Sequence, residues 1–213
     1  MKSHRRRALL RGIAGLSTDR AFDALVPSEL RHLSRVHWTP IDVAIRVATL
    51  LAPTRTTRIL DIGAGVGKLC LVGAMSSAAT WFGVERHQAC ALAAERLARD
   101  LGIAARTRFF HGDVFGLDWD GFDALYLYNP FELGLFSETA GPDEPLAYLA
   151  QIACAEDRLA SMRTGTRVVT LNGFGGVMPA SYDVVSCERV PQLGVDLVCW
   201  IQRSRRRAAR GIN

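Results

Sequence analysis

Ile59-Leu60-Asp61-Ile62-Gly63-Ala64-Gly65-Val66-Gly67-Lys68 is the stretch on which the fold turns. A short apolar run carries an acid, three glycines follow at alternate positions, and an apolar helical pattern over 67–78 begins at once. Glycine has no Cβ to hold a ligand away, so a strand-to-helix turn of this kind lets the backbone approach a bound molecule closely. Spacing separates the phosphate-binding variants of such a turn. A Walker A loop needs Gly-x-x-x-x-Gly-Lys-Ser/Thr, and Ile62 and Leu69 stand at its first and last positions. The dinucleotide fingerprint needs a third glycine at position 68, which is Lys68. What remains is acid-x-Gly-x-Gly-x-Gly.

On the amino-terminal side, helical patterns cover roughly 20–35 and 40–52. The second opens with Thr39-Pro40 and Asp42, read as a hydroxyl N-cap, a proline at N1 and an acid in the first turn. Beyond the glycine turn, strands are expected near 80–84, 107–110 and 122–128, with helices over 88–101 and 143–162. Three further strands follow at about 166–171, 182–189 and 195–202, the last two joined through Pro191-Gln192-Leu193-Gly194. Strands alternating with helices give a parallel sheet, and two strands with no helix between them give a hairpin. The expected fold is α/β: a doubly wound, mostly parallel seven-stranded sheet with helices on both faces and a C-terminal antiparallel hairpin.

The 213 residues, 49% hydrophobic and 22% charged, suit a single domain with a sizeable core. Within it, 1–38 reads as a basic and helical extension, 39–202 as the core and 203–213 as a basic tail. The formal net charge of +5 is unevenly spread. Lys2, Arg5, Arg6, Arg7 and Arg11 at one end, and Arg203, Arg205, Arg206, Arg207 and Arg210 at the other, leave a body of 16 basic against 21 acidic residues. Basic ends of this kind can hold a phosphate backbone without reading sequence, or simply be solvated. Five widely spaced cysteines without a Cys-x-x-Cys pair suggest neither a disulfide framework nor a zinc site. With no long apolar run and no signal-like start, the expectation is a cytoplasmic protein without a membrane span or a metal.

Two more acids fall at the ends of successive strands. Glu85 closes Phe82-Gly-Val-Glu, and Asp113 follows the third strand in His111-Gly-Asp-Val-Phe115. With Asp61 and the glycines they resemble the class I S-adenosylmethionine-dependent methyltransferases, a Rossmann-like family, and the resemblance runs in order through about 39–131. It implies S-adenosylmethionine as cofactor. Asp61 would sit near its methionine end, Glu85 would accept both ribose hydroxyls, and Asp113 would face the adenine amino group. Gly63, Ala64, Gly65, Arg86, Val114 and Thr39 complete the implied cofactor set. Local charge points the same way, because an acid at the turn is costly beside a pyrophosphate and acceptable beside a sulfonium.

The fourth strand ends Leu125-Tyr-Leu-Tyr-Asn-Pro-Phe131. Asn129-Pro130-Phe131 resembles a shortened Asn/Asp-Pro-Pro-Tyr/Phe motif of amino-methyltransferases. There an amide oxygen and a backbone carbonyl take the two hydrogens of an amine, and the aromatic ring covers the acceptor plane. The glycine turn and strand-four end also resemble Dot1-like protein lysine methyltransferases, whose longer leading sequence and acceptor loop are not reproduced. The implied activity is methyl transfer to nitrogen on a protein, a nucleic acid or a small molecule. Alternatives are a non-catalytic S-adenosylmethionine-binding module contacting RNA or protein through arginine-rich ends, an aminopropyl transferase, and an oxidoreductase on a degenerate turn. Asn172-Gly-Phe-Gly-Gly176 reads as a flexible loop. The acceptor and the oligomeric state are not specified by these residues.

Overall fold

In the protein's computed structural model, which describes residues 18–34, 38–131 and 144–203, strand order reverses beside the glycine turn. β1 (Arg58–Ile62), β2 (Thr80–Glu85), β3 (Thr107–His111), β4 (Ala124–Tyr128) and β5 (Arg167–Leu171) are mutually parallel. β6 (Tyr182–Val190) and β7 (Val195–Gln202) form the expected antiparallel hairpin, and β7 pairs with β5. The spatial order is β3-β2-β1-β4-β5-β7-β6, a seven-stranded, Rossmann-like mixed sheet. The chain works outward from β1 to β3, then returns to place β4 on the other side of β1. Open α/β sheets bind ligands at the carboxyl ends of strands beside such a switch point.

Apolar residues alternate between two cores. Ile59, Tyr126 and Val169 face a layer that includes α2 (Ile41–Leu51), α3 (Lys68–Ser76) and α4 (Gln88–Asp100). Leu60, Ile62, Leu125, Leu127 and Val168 face the opposite layer, built on α5 (Glu144–Ser161) and the short turns carrying Val114 and Trp119. Helix α3 is buried from Lys68 through Met75, as a helix apolar on every side must be. It reaches the sheet because Gly73 lies under the Trp81 ring, where a Cβ would meet Cε2 at 2.3 Å. Gly73→Ala is therefore expected to destabilise the protein by about 1–3 kcal/mol, the range of core overpacking, measured by denaturant unfolding.

Three local expectations are corrected. The continuous helix near 20–35 is a five-residue α1 (Asp19–Asp23) followed by a 3-10 turn (Ser28–Leu33). Pro27, which has no N–H to donate, separates them and stands at the N-cap of the second. The N-cap of α2 is Pro40, without a side-chain cap, and the Ile41 N–H donates instead to Asp19 Oδ1 of α1 at 3.1 Å. The loop at 172–176 is fastened to α5. Phe174 is buried, the following Val177 N–H donates to Glu156 Oε1 at 2.7 Å, and Gly175 lies against the Tyr148 hydroxyl. The basic stretches 1–11 and 204–210, and the chain just beyond Phe131, lie outside the described residues.

Candidate active site

At the carboxyl end of β1, Trp38, Thr39, Asp61, Gly63, Ala64, Gly65, Lys68, Tyr126 and Tyr128 line one cleft. Its floor follows from strand register. Asp61 pairs with Gly83 on one side and Tyr126 on the other, so the carboxylate and the two tyrosines, at alternate positions of β4, share a face of the sheet. Gly63, Gly65 and Gly67 all have positive φ (77°, 54° and 76°), and a Cβ on Gly67 would meet the Phe109 ring at 2.6 Å. The turn is tied to β2 by the Gly63 and Ala64 N–H groups, both donating to Val84 O at 3.0 Å.

Glu85 fixes this turn from below. Its Oε2 accepts the Gly65 N–H at 2.8 Å and its Oε1 accepts the His87 N–H at 2.7 Å. One carboxylate thus joins the glycine turn to the start of α4, while its remaining lone pairs stay available to hydroxyl donors. Asp61 is buried, with a weak donor, the Cys70 thiol, 3.6 Å from Oδ2. Burial, opposed by that thiol and reinforced by the Glu85 charge, pushes its carboxyl up to about 7. Burial and the neighbouring Asp61 push the Cys70 thiol well above its usual range, so it stays protonated.

Thr39 lies outside the helix cap because its hydroxyl is hydrogen-bonded to the Tyr126 hydroxyl at 2.8 Å, both groups buried. Burial holds the Tyr126 phenol well above its ordinary range, and the bond ties the entry to α2 onto the floor of the cleft. Asp113 is exposed and caps its own 3-10 turn, accepting the Phe115 N–H at 2.9 Å. Val114 beside it is buried, and its carbonyl accepts the Trp119 indole N–H. Arg86 is exposed.

The residues after β4 divide. Asn129 adopts a left-handed φ of 41° and its N–H donates to Gly173 O at 3.5 Å. Pro130 reaches the glycine turn, since a Cβ on Gly63 would lie 3.3 Å from its Cα. Phe131 faces the other way. It is buried in the opposite core and stacked on Phe115 at 5.7 Å. Trp38 and Tyr126 line the cleft, whereas Lys68 on its wall and Cys70 beside Asp61 are site residues that motif reading misses. For Lys68 a sequence signal existed, a lone cation in an otherwise apolar helix.

No protein-family model matches the chain. A curated relative, uncharacterized protein YjhP of Escherichia coli (strain K12), is 35% identical over 60 residues, 28% of this chain. The matched region spans about a quarter of that relative's length, 24%. Among solved structures, an RNA methyltransferase from Salinibacter ruber in complex with S-adenosyl-L-homocysteine superposes with a TM-score of 0.54 at 18% identity, covering 77% of this chain and 90% of that one. The [4+2]-cyclase SpnF superposes with a TM-score of 0.55 at 14% identity, covering 76% and 81%. The shared property is the fold.

Proposed function

We propose that the protein is an S-adenosylmethionine-dependent methyltransferase. The observation that carries this reading is the chemistry of the cleft. Asp61 lines the cleft, Glu85 holds its glycine turn through the Gly65 N–H, and Asp113 follows the third of three adjacent parallel strands. Carboxylates so placed repel a pyrophosphate and attract a cation. A buried carboxylate with one weak donor among the described residues, as Asp61 is, suits an ammonium group. When bound, the cofactor supplies an electrophilic methyl group on a sulfonium.

The chain's own work is then binding and orientation. Asp61 holds the ammonium end, Glu85 takes ribose hydroxyls while keeping Gly65 in place, and the Thr39–Tyr126 bond fixes the wall of the cleft. Asn129, next to Pro130 and the glycine turn, would accept hydrogen bonds from a nitrogen acceptor and aim its lone pair. Isothermal titration with S-adenosylhomocysteine and, as a control, NAD tests the cofactor. Micromolar affinity for the first alone supports the reading, and binding of NAD alone would replace it.

A second reading is favoured by the inward turn of Phe131. No aromatic ring from the Asn-Pro-Phe segment is offered to an acceptor, so a cofactor-binding protein that does not transfer a methyl group to nitrogen is the alternative. Asn129→Ala separates the two. For an amine methyltransferase, turnover with a radiolabelled methyl donor is expected to fall by about a hundredfold, within the range of losing one positioning hydrogen bond at a reacting centre. Affinity for S-adenosylhomocysteine should stay within about twofold, as expected when only transition-state contacts are lost.

A further inference from the structure

Lysine is seldom fully buried without a partner, yet Lys68 is 3% exposed on the wall of a cleft that, on the proposed reading, receives a cation. An uncompensated ammonium there would repel a sulfonium. Helix α1 removes the conflict. Lys68 Nζ lies 2.5 Å from Asp19 Oδ1 and 3.7 Å from Asp23 Oδ1. Both acids are themselves held in place, Asp19 by the Ile41 N–H and Asp23 by the Ser34 hydroxyl at 2.6 Å. The Phe22 and Trp38 rings flank the ammonium at 5.3 and 5.9 Å, shielding the group from water. One lysine is matched by two carboxylates, so the trio carries a net formal charge of −1.

We propose that Asp19 and Asp23 are specificity-determining residues for a cationic cofactor: by overcompensating Lys68 they make the cleft favour S-adenosylmethionine over its neutral-sulfur product. S-Adenosylmethionine differs from S-adenosylhomocysteine by one methyl group and one positive charge. The charge of the trio therefore acts on the difference between the two ligands, whereas the packing of α1 against Lys68 acts on both alike. Asp61 and Glu85 also act on this charge and are unchanged in every variant below. The inference rests on the cofactor reading.

The test is the ratio of the two dissociation constants, S-adenosylmethionine over S-adenosylhomocysteine, in four folded proteins measured by titration calorimetry. Lys68→Met sets the trio at −2, wild type at −1, the triple variant Lys68→Met/Asp19→Asn/Asp23→Asn at 0, and Asp19→Asn/Asp23→Asn at +1. The ratio is expected to rise in that order, by about tenfold between the extremes, because Lys68 and Asp23 are largely withdrawn from water while the half-exposed Asp19 is partly screened. A purely structural role weakens both ligands together and leaves the ratio flat. If the double variant does not fold, a fall in the ratio for Lys68→Met against wild type still supports the proposal. A ratio constant within twofold, or one that departs from the charge order, overturns it while the cofactor reading stands. Wild type that binds neither ligand overturns both.

Discussion

Glu85→Ala is expected to lower S-adenosylhomocysteine affinity at least a hundredfold and to destabilise the protein by about 2–4 kcal/mol, the cost of stranding charge-assisted donors. Its carboxylate accepts two backbone N–H groups, those of Gly65 and His87, from two different connections. Alanine strands both donors and removes the Gly65 tie, leaving the glycine turn held to β2 by the Gly63 and Ala64 N–H groups alone. The ribose hydroxyls would lose their acceptor at the same step. Glu85→Gln keeps an oxygen in place and is expected to recover much of the stability but little of the affinity, because one of its termini donates rather than accepts. Chemical denaturation and titration calorimetry on the same preparations measure the two effects separately. Equal affinity in the alanine variant and wild type would remove Glu85 from the site.

The second large effect concerns Asp61 and pH. Its carboxyl is raised from 3.8 to about 7, chiefly by burial. The folded state therefore binds the proton more tightly than the unfolded chain. Stability from this group is fully present below pH 3.8 and is lost as the pH rises toward 7. A difference of that size corresponds to about 4 kcal/mol. Asp61→Asn has no such ionisation to suppress. The variant should match wild type near pH 4 and be more stable by up to about 4 kcal/mol at pH 8, as followed by denaturant midpoints across that range. It should also lose affinity for S-adenosylhomocysteine, since an amide cannot neutralise an ammonium. Wild-type affinity should rise with pH up to about 7, with proton release on binding below it. Equal pH profiles in variant and wild type would mean that Asp61 titrates normally.

These two acids were legible because turn chemistry is local. The run from Ile59 to Lys68 carries its strand, its glycines and its helix start within ten consecutive positions, and Glu85 and Asp113 close the next two strands in the same way. The hairpin at the C-terminus was legible too, because Pro191–Gly194 leaves no room for a helix. What escaped depends on contacts between distant segments. The Thr39–Tyr126 bond joins residues 87 positions apart, and nothing in Thr39-Pro40 distinguishes a hydroxyl bound to a tyrosine from one capping a helix. Asp19 caps α2 and pairs with Lys68 across 22 and 49 positions, so a lysine that only disqualified a dinucleotide motif is in fact fastened beneath the N-terminal helix. Phe131 lies three residues past β4, after the left-handed turn at Asn129, where strand alternation no longer decides which way a side chain points.

The placement of β7 between β5 and β6 has a consequence for biosynthesis. Among the described residues β6 has a single neighbour in the sheet, and that neighbour follows it in the chain. As the protein leaves the ribosome, β1 to β5 can pair in the order in which they emerge, whereas β6 has nothing to join until β7 arrives. Ribosome-tethered chains in which Gly194 is followed by a linker long enough to clear the exit tunnel should therefore protect β1–β5 from hydrogen exchange and leave Tyr182–Val190 open. Release of the eight-residue β7 would then add two of the seven strands to the sheet in a single event.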